Sequence, residues 1–186
     1  MSDNRAVLLV MDYQNGIIER SGGEALIGGG LAAVAAARKA GVPVMFVRVA
    51  FRAGYPEAAG SNQTFGRVVQ FGDAMTQDHP ATQLHPALEA RPDEPVILKR
   101  RVSAFSGSDL DVLLRGAGAG TLVLAGISTS GVVLSTLRQA ADLDYRLVVL
   151  ADACIDPDPE VHRVLTEKVF PRQAQVTTVE EWAATL

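Results

Sequence analysis

The sequence predicts an α/β fold built around a parallel sheet, and two observations lead to this prediction. Short apolar runs rich in β-branched residues alternate with longer helical patterns, an order that gives parallel strands joined by right-handed crossovers. Most of the runs are apolar throughout rather than alternating with polar residues, which is typical of strands covered on both faces. With 186 residues the chain is long enough for one domain with a full core, so we expect a single domain over residues 1–186.

Six apolar runs are the predicted strands: residues 6–11, 42–49, 95–99, 121–125, 146–151 and 175–179. Helical patterns cover residues 24–40, 109–115, 130–143 and 158–170, and the tail 179–186 is a last short helix. Gly41 is placed to end the first of these helices, and Ser108-Asp109 offers an N-cap for the second. The sequence DPDPE from Asp156 is a strong start for the helix over 158–170, because its acidic groups face the positive end of the dipole.

The segment over residues 50–90 interrupts this alternation. It is rich in Gly, Pro, Gln and Asn, and an irregular stretch of this length in a compact domain is usually a lid, a partner surface or a binding element. The sequence leaves open whether the segment covers the site of its own chain or that of a neighbouring subunit.

Composition excludes several classes of protein. The net charge of −4 and the scattered arginines argue against nucleic-acid binding. The polar N-terminus has no signal-peptide layout, and no apolar run approaches the ~20 residues that span a bilayer, so we expect a cytosolic protein. The single cysteine, Cys154, excludes an internal disulfide and a cysteine-based zinc site, and we interpret it as a buried structural thiol.

Candidate site residues follow the strands, because ligands of parallel α/β sheets lie beyond the carboxyl ends of the strands. Asp12 follows the first strand and Lys99 ends the third. A carboxylate at the end of a buried strand is costly unless it is paired or functional, and an Asp12–Lys99 pair would keep both groups charged. Each residue also has an interpretation without a functional role. Asp12 could cap a helix or anchor a loop, and Lys99 could be a lysine at a strand end whose ammonium reaches solvent.

The small-residue turn after the fourth strand offers hydroxyl groups at Ser128, Thr129 and Ser130. A serine nucleophile needs a base, and the histidines are poorly placed to supply one, since two lie in the long segment and His162 lies in a predicted surface helix. Backbone N–H groups of this turn are better suited to binding an oxyanion. The spacing of His79, His85 and Asp78 fits no strong metal motif, and the glycine clusters match no nucleotide fingerprint.

Four segments, in order, resemble the isochorismatase-like (cysteine hydrolase) superfamily: LLVMDYQNG, ILKRRVSAFSGSDLD, LAGISTSGVV and ADLDYRLVVLADAC. The resemblance covers nearly the whole chain. It implies a three-layer α/β/α domain with a mostly parallel six-stranded sheet, a small-molecule substrate and assembly into homo-oligomers.

Family hydrolases use an Asp, a Lys and a Cys, and the resemblance places Asp12 and Lys99 at the first two positions. The cysteine belongs in a G-x-x-T-x-x-C turn that begins here at Gly126 and Thr129. Val132 stands at the position of the nucleophile, or Gly131 if one residue is skipped. The resemblance therefore implies a member without a thiol nucleophile.

Three functions remain open for such a member. True isochorismatases also lack the cysteine, and in them the aspartate is the general acid in cleavage of a vinyl ether. Alternatively, water replaces the thiol, Asp12 is the base that activates it, and the N–H groups of Ser128 and Val132 bind the oxyanion. The resemblance implies a cis peptide at Ile127-Ser128, which would orient those two donors. The third is a catalytically degenerate protein that binds a small molecule or serves as an assembly partner.

Further substrate-binding candidates rest on position in these motifs: Gln14, Phe51, Arg52, Phe105 and Thr129. Arg48 or Arg52, together with Phe51, could hold an anionic or planar substrate. The metal-binding residues of nicotinamidases should follow the second strand, where this sequence reads VRVAFRAGYPE without a histidine. We therefore expect no catalytic metal and no cofactor.

Overall fold

A computed structural model describes residues 5–22 and 27–186. Six strands form one sheet in the order β3-β2-β1-β4-β5-β6, and every neighbouring pair is parallel. The strands are β1 (Arg5–Met11), β2 (Val44–Val49), β3 (Val96–Lys99), β4 (Ala119–Ile127), β5 (Arg146–Ile155) and β6 (Gln175–Thr177). The helices are α1 (Asn15–Ser21), α2 (Gly28–Ala40), α3 (Leu110–Gly116), α4 (Leu134–Asp142), α5 (Pro159–Val164) and α6 (Val179–Ala183).

This architecture confirms the predicted α/β fold and all six strands. The prediction missed α1, and it ended β4 before Gly126, which pairs with Met11 inside the sheet. It also ended the fifth strand at residue 151, whereas β5 continues to Ile155 after an irregularity in its pairing with β4. Residue 24, the predicted start of the first long helix, lies outside the described residues.

Two apolar cores lie on opposite faces of the sheet. On one face, residues of β1 and β2 such as Leu8 and Phe46 pack with α2 and with Trp182 of α6. On the other face, Leu9 and its neighbours in the sheet pack with α3, α4 and Phe170. Burial on both faces explains why the strand sequences are apolar throughout. Within residues 5–22 and 27–186, no helix is long and apolar enough to cross a membrane.

The long segment after β2 folds back on its own chain. Its first part has a small separate core, in which Phe51 packs with Tyr55 and Val68. Its second part binds to the start of α1: Leu84 forms a β-bridge with Gln14, and the Asn15 N–H donates to the Gln83 carbonyl at 3.0 Å. The segment is thus attached beside the carboxyl ends of β1 and β2.

Helix α2 begins so close to β5 that its second residue has no room for a side chain. A Cβ atom on Gly29 would lie 2.0 Å from the carbonyl oxygen of Asp152, whereas a Cβ atom on Gly28 would meet nothing within 4 Å in the part of the chain that the structure describes. Gly29 is therefore explained by close packing of a helix against a strand, whereas Gly28 is not.

We expect Gly29→Ala to lower the free energy of unfolding by about 1–3 kcal/mol or more, because the helix must move away from β5. Gly28→Ala is the matched control, one residue earlier in the same helix, and should be neutral or stabilising. Urea denaturation of both variants measures the difference. Equal stability of the two variants would contradict this account of the packing.

Candidate active site

Asp12 leaves the end of β1 in an unusual backbone conformation. Its φ is 61°, its N–H donates to the Val47 carbonyl at 2.8 Å, and the residue is 5% exposed. Left-handed backbone is uncommon for residues other than glycine, and Asp and Asn adopt it more readily than most. The chain therefore turns sharply here, at the carboxyl edge of the sheet.

Lys99 reaches Asp12 across the intervening strand. It is the last residue of β3, it is 2% exposed, and its Nζ lies 2.9 Å from Oδ2 of Asp12. Because β2 separates β3 from β1, the lysine side chain must extend over the end of β2 to make this contact. The ammonium also donates to the Arg101 carbonyl at 3.1 Å. The buried pair that the strand ends suggested is therefore formed.

The two oxygens of the Asp12 carboxyl group have different surroundings. Oδ2 is held by Lys99, whereas Oδ1 is buried without a hydrogen-bond partner in the described part of the chain. Burial raises the pKa of Asp12 above its ordinary value, and the Lys99 ammonium offsets part of that rise. A carboxyl group with one fixed oxygen, one free oxygen and a raised pKa is suited to proton transfer.

The turn after β4 begins beside Asp12, because Met11 and Gly126 are paired in the sheet. The Ile127-Ser128 peptide is cis, and residues 129–133 form a π-helical turn that leads into α4. Within the turn, the N–H groups of Gly131 and Val133 both donate to the Ser128 carbonyl at 3.2 Å. The predicted helix over 130–143 is thus a π-helical turn followed by α4.

Val132 and Gly131, which the family resemblance places at the position of the nucleophile, carry no reactive group. Val132 is 2% exposed and belongs to the apolar core on the α3 and α4 face. A Cβ atom on Gly131 would lie 2.7 Å from the Ser128 hydroxyl oxygen, so glycine leaves space for that side chain. Both residues therefore have packing roles in this turn.

The other candidate residues are largely occupied by contacts within the protein. Gln14 is 1% exposed, and its amide group donates to the carbonyls of Val49 and Thr82 at 2.9 and 2.8 Å and accepts the Val49 N–H at 2.8 Å. Phe51 is fully buried, and the exposed Arg52 binds Glu57 at 2.5 Å. These contacts fix the long segment next to β2.

Phe105 and Arg48 lie on opposite faces of the sheet. Phe105 is 8% exposed and packs against Tyr145 in the same core as Val132, with ring centroids 6.3 Å apart. Successive side chains of a strand point to opposite faces of the sheet. Val47 faces that core, so the side chain of its neighbour Arg48 points to the other face. There it donates to the carbonyls of Gln77 and Thr82 at 2.9 and 3.2 Å. Arg48 is therefore an anchor for the long segment rather than a neighbour of Lys99.

His162 contacts the turn, which its predicted place in a surface helix did not suggest. Its Nδ1 lies 2.8 Å from the hydroxyl oxygen of the fully buried Thr129. Nearby, Oδ2 of Asp156 accepts the N–H of Ser130 at 2.7 Å.

The DPDPE sequence indicated only the start of a helix. That start is present, with Asp158 Oδ1 accepting the Glu160 N–H at 2.9 Å. No periodicity in one sequence shows that this helix begins against the turn after β4.

Cys154 lies inside β5, 5% exposed, with its sulfur 3.9 Å from the Leu124 carbonyl oxygen. Burial raises the pKa of its thiol to about 12, so it is present as a neutral thiol at neutral pH. In the described ranges 5–22 and 27–186, no group of three or more His, Cys, Asp and Glu side chains is arranged to hold a metal ion.

Comparison with known proteins matches this architecture and site to one family. Residues 6–181 match the isochorismatase domain. The chain is 36% identical to an uncharacterized isochorismatase family protein, YecD of Escherichia coli O157:H7, over 94% of this chain and 92% of the relative. It is 32% identical to the ureidoacrylate amidohydrolase RutB of Pseudomonas syringae pv. syringae, over 97% of this chain and 79% of the relative.

Solved structures agree with these sequence matches. An isochorismatase family protein from Burkholderia thailandensis superimposes with a TM-score of 0.85 and 29% identity, over 97% of this chain and 95% of that one. The matched regions include both β1 with Asp12 and the turn after β4. The chain therefore belongs to the isochorismatase family of hydrolases.

Proposed function

We propose that the protein is a hydrolase without a thiol nucleophile, in which Asp12 transfers protons and water supplies the attacking oxygen. The observation that carries the proposal is the Asp12–Lys99 pair: a buried carboxyl group whose Oδ2 is fixed at 2.9 Å by an ammonium and whose Oδ1 has no hydrogen-bond partner among residues 5–22 and 27–186. The substrate is a small molecule. We predict that Thr129, Phe105 and residues around β2 bind this molecule. We also predict that the chain assembles into homo-oligomers.

Cleavage of a vinyl ether is the reaction that uses this site most directly. A protonated Asp12 gives its proton to the terminal carbon of the C=C bond, and the ether oxygen shares the positive charge that develops on the adjacent carbon. Water adds to that carbon, and the hemiketal breaks down to pyruvate and an alcohol. The proton lost by the water restores the Asp12 carboxyl group. A raised pKa favours this role, because it keeps the acid protonated at higher pH.

Lys99 has a positioning role in this reaction. Its contact with Oδ2 fixes the carboxyl group in one orientation, and its charge limits the rise in the pKa of Asp12. A general acid works best when its pKa is near the working pH, and burial and the ammonium act on that value in opposite directions. Val132, which the family resemblance places at the position of the nucleophile, has an apolar side chain, so a covalent intermediate at that position is not part of the proposal.

Amide hydrolysis is the second candidate, and the similarity to the amidohydrolase RutB favours it. In this reaction an ionised Asp12 takes a proton from the attacking water and then gives it to the leaving nitrogen. The N–H groups of Ser128 and Val132 would bind the oxyanion of the tetrahedral intermediate. The first steps of the two reactions require opposite protonation states of the same carboxyl group.

The experiment that tests the proposal is turnover of isochorismate, and in parallel of a panel of simple amides that includes ureidoacrylate. Release of pyruvate supports vinyl-ether cleavage, and release of ammonia supports amide hydrolysis. Turnover that Asp12→Asn abolishes assigns the reaction to this site. Absence of turnover with both substrate classes would favour the alternative of a degenerate member that binds a small molecule or serves as an assembly partner.

The pH dependence of turnover separates the two reactions. If Asp12 is a general acid, kcat/KM is highest below the pKa of Asp12 and falls as the pH rises through it. If Asp12 is a general base, kcat/KM instead falls as the pH drops through that same pKa. Because burial raises the pKa, we expect the limb that depends on Asp12 to lie above the range of ordinary aspartates. Initial rates across the pH range measure it, and a profile without such a limb would contradict a role of Asp12 in proton transfer.

A further inference from the structure

Two side chains from the segment after β5 hold the turn that follows β4. Asp156 accepts the Ser130 N–H at 2.7 Å through Oδ2 and the Asp158 N–H at 3.3 Å through Oδ1. His162, in α5, lies 2.8 Å from the hydroxyl group of Thr129 through Nδ1. One contact fixes the backbone of the turn, and the other fixes a side chain beneath it.

We propose that His162 and Asp156 are positioning residues for catalysis, which fix the turn over residues 128–133 relative to Asp12. This inference rests on the proposed function, since it concerns the same site. It adds two residues from the segment after β5. None of the residues proposed above to transfer protons or bind substrate lies in that segment.

The geometry of the sheet explains why these contacts matter for the site. Gly126 pairs with Met11 on one side and with Cys154 on the other. The chain thus leaves β4 between Asp12, which follows Met11, and the segment that follows Cys154 and Ile155. A displacement of that segment would move the turn directly along the edge of the sheet on which Asp12 lies.

The contact between His162 and Thr129 also has few alternatives. Thr129 is fully buried, so water does not readily replace the imidazole as the partner of its hydroxyl group, and buried hydroxyl groups are nearly always hydrogen-bonded. Ser128 and Val132, whose N–H groups are the proposed oxyanion donors, lie one residue before and three residues after Thr129. Loss of the contact would shift them, and a misplacement of about 1 Å in a site can cost 100-fold in rate.

The test compares His162→Leu, which removes the polar atom, with His162→Asn, which retains one near the position of Nδ1. Lys168→Gln, an exposed change in the π-helical turn Leu165–Val169 that directly follows α5, is the control. We expect His162→Leu to lower kcat by roughly 10- to 100-fold with little change in KM, and His162→Asn to restore most of it. Thr129→Val should lower kcat as far as His162→Leu does, and the double variant should lose no more kcat than either single one.

A structural readout keeps the test independent of turnover. In ¹H–¹⁵N spectra, we expect His162→Leu to shift the amide signals of Ser128, Ser130 and Val132, and His162→Asn to return them toward the wild-type positions. Unchanged kcat in His162→Leu, or equal losses in the Leu and Asn variants, would overturn the inference. If no substrate is turned over, the proposed function has failed, and unmoved amide signals would then overturn the positioning role separately.

Discussion

Replacing Asp12 with Asn should lower kcat/KM by roughly 10²- to 10⁴-fold, the contribution of a general acid or base. The amide has nearly the same shape and can still accept the Lys99 ammonium through its oxygen, but it has no proton to give as an acid and no carboxylate to act as a base. Asn also adopts left-handed backbone readily, so the φ of 61° does not obstruct the variant. Steady-state kinetics on the substrate found in the panel measures the loss.

Asp142→Asn is the matched control, because it makes the same change at an exposed position in α4. It should leave kcat/KM unaltered. Folding of Asp12→Asn is checked by its thermal midpoint. A well-folded Asp12→Asn protein with wild-type turnover would show that another group transfers the proton.

Above the pKa of Asp12, replacing Lys99 with Met should destabilise the protein by about 3–5 kcal/mol, the usual effect of removing one partner of a buried ion pair. Met fills nearly the same volume, so the loss comes from leaving the Asp12 carboxylate buried without its cation. Asp12 responds by a further rise in its pKa, because burial is then no longer offset by the ammonium. Urea denaturation at several pH values measures the effect.

The pH dependence of that destabilisation follows from the direction of the pKa shift. A carboxyl group with a raised pKa in the folded protein contributes stability below its unfolded pKa, and this contribution is lost as the pH rises through the folded pKa. Lys99→Met raises the folded pKa of Asp12 further, so it should cost least in acid and most at pH 8. The variant Asp12→Asn/Lys99→Met should recover much of the loss. A destabilisation that is independent of pH would mean that Lys99 contributes mainly through packing.

The sequence indicated the sheet and the buried Asp12–Lys99 pair of the candidate site for a common physical reason. Strands buried on both faces must be apolar along their whole length, so charged residues at their ends, Asp12 and Lys99, stand out against the runs before them. Helix boundaries with a local cause were equally visible: Gly41 ends α2 with a φ of 70°, and Asp158 caps α5. The short helix α1 had no such signal, since Gln14 makes no side-chain cap and instead binds Val49 and Thr82.

By itself, the sequence determined the α/β class, the six strands, the family and the absence of a thiol at Val132, because these depend on residue type and on order along the chain. Only the tertiary structure decided which oxygen of Asp12 binds Lys99, that Arg48 faces away from Lys99, and that His162 and Asp156 hold the turn. Those facts depend on contacts between segments far apart in sequence. The His162–Thr129 contact joins residues 33 positions apart, and no local pattern encodes it, because the strand register and the crossover of the chain bring the two residues together.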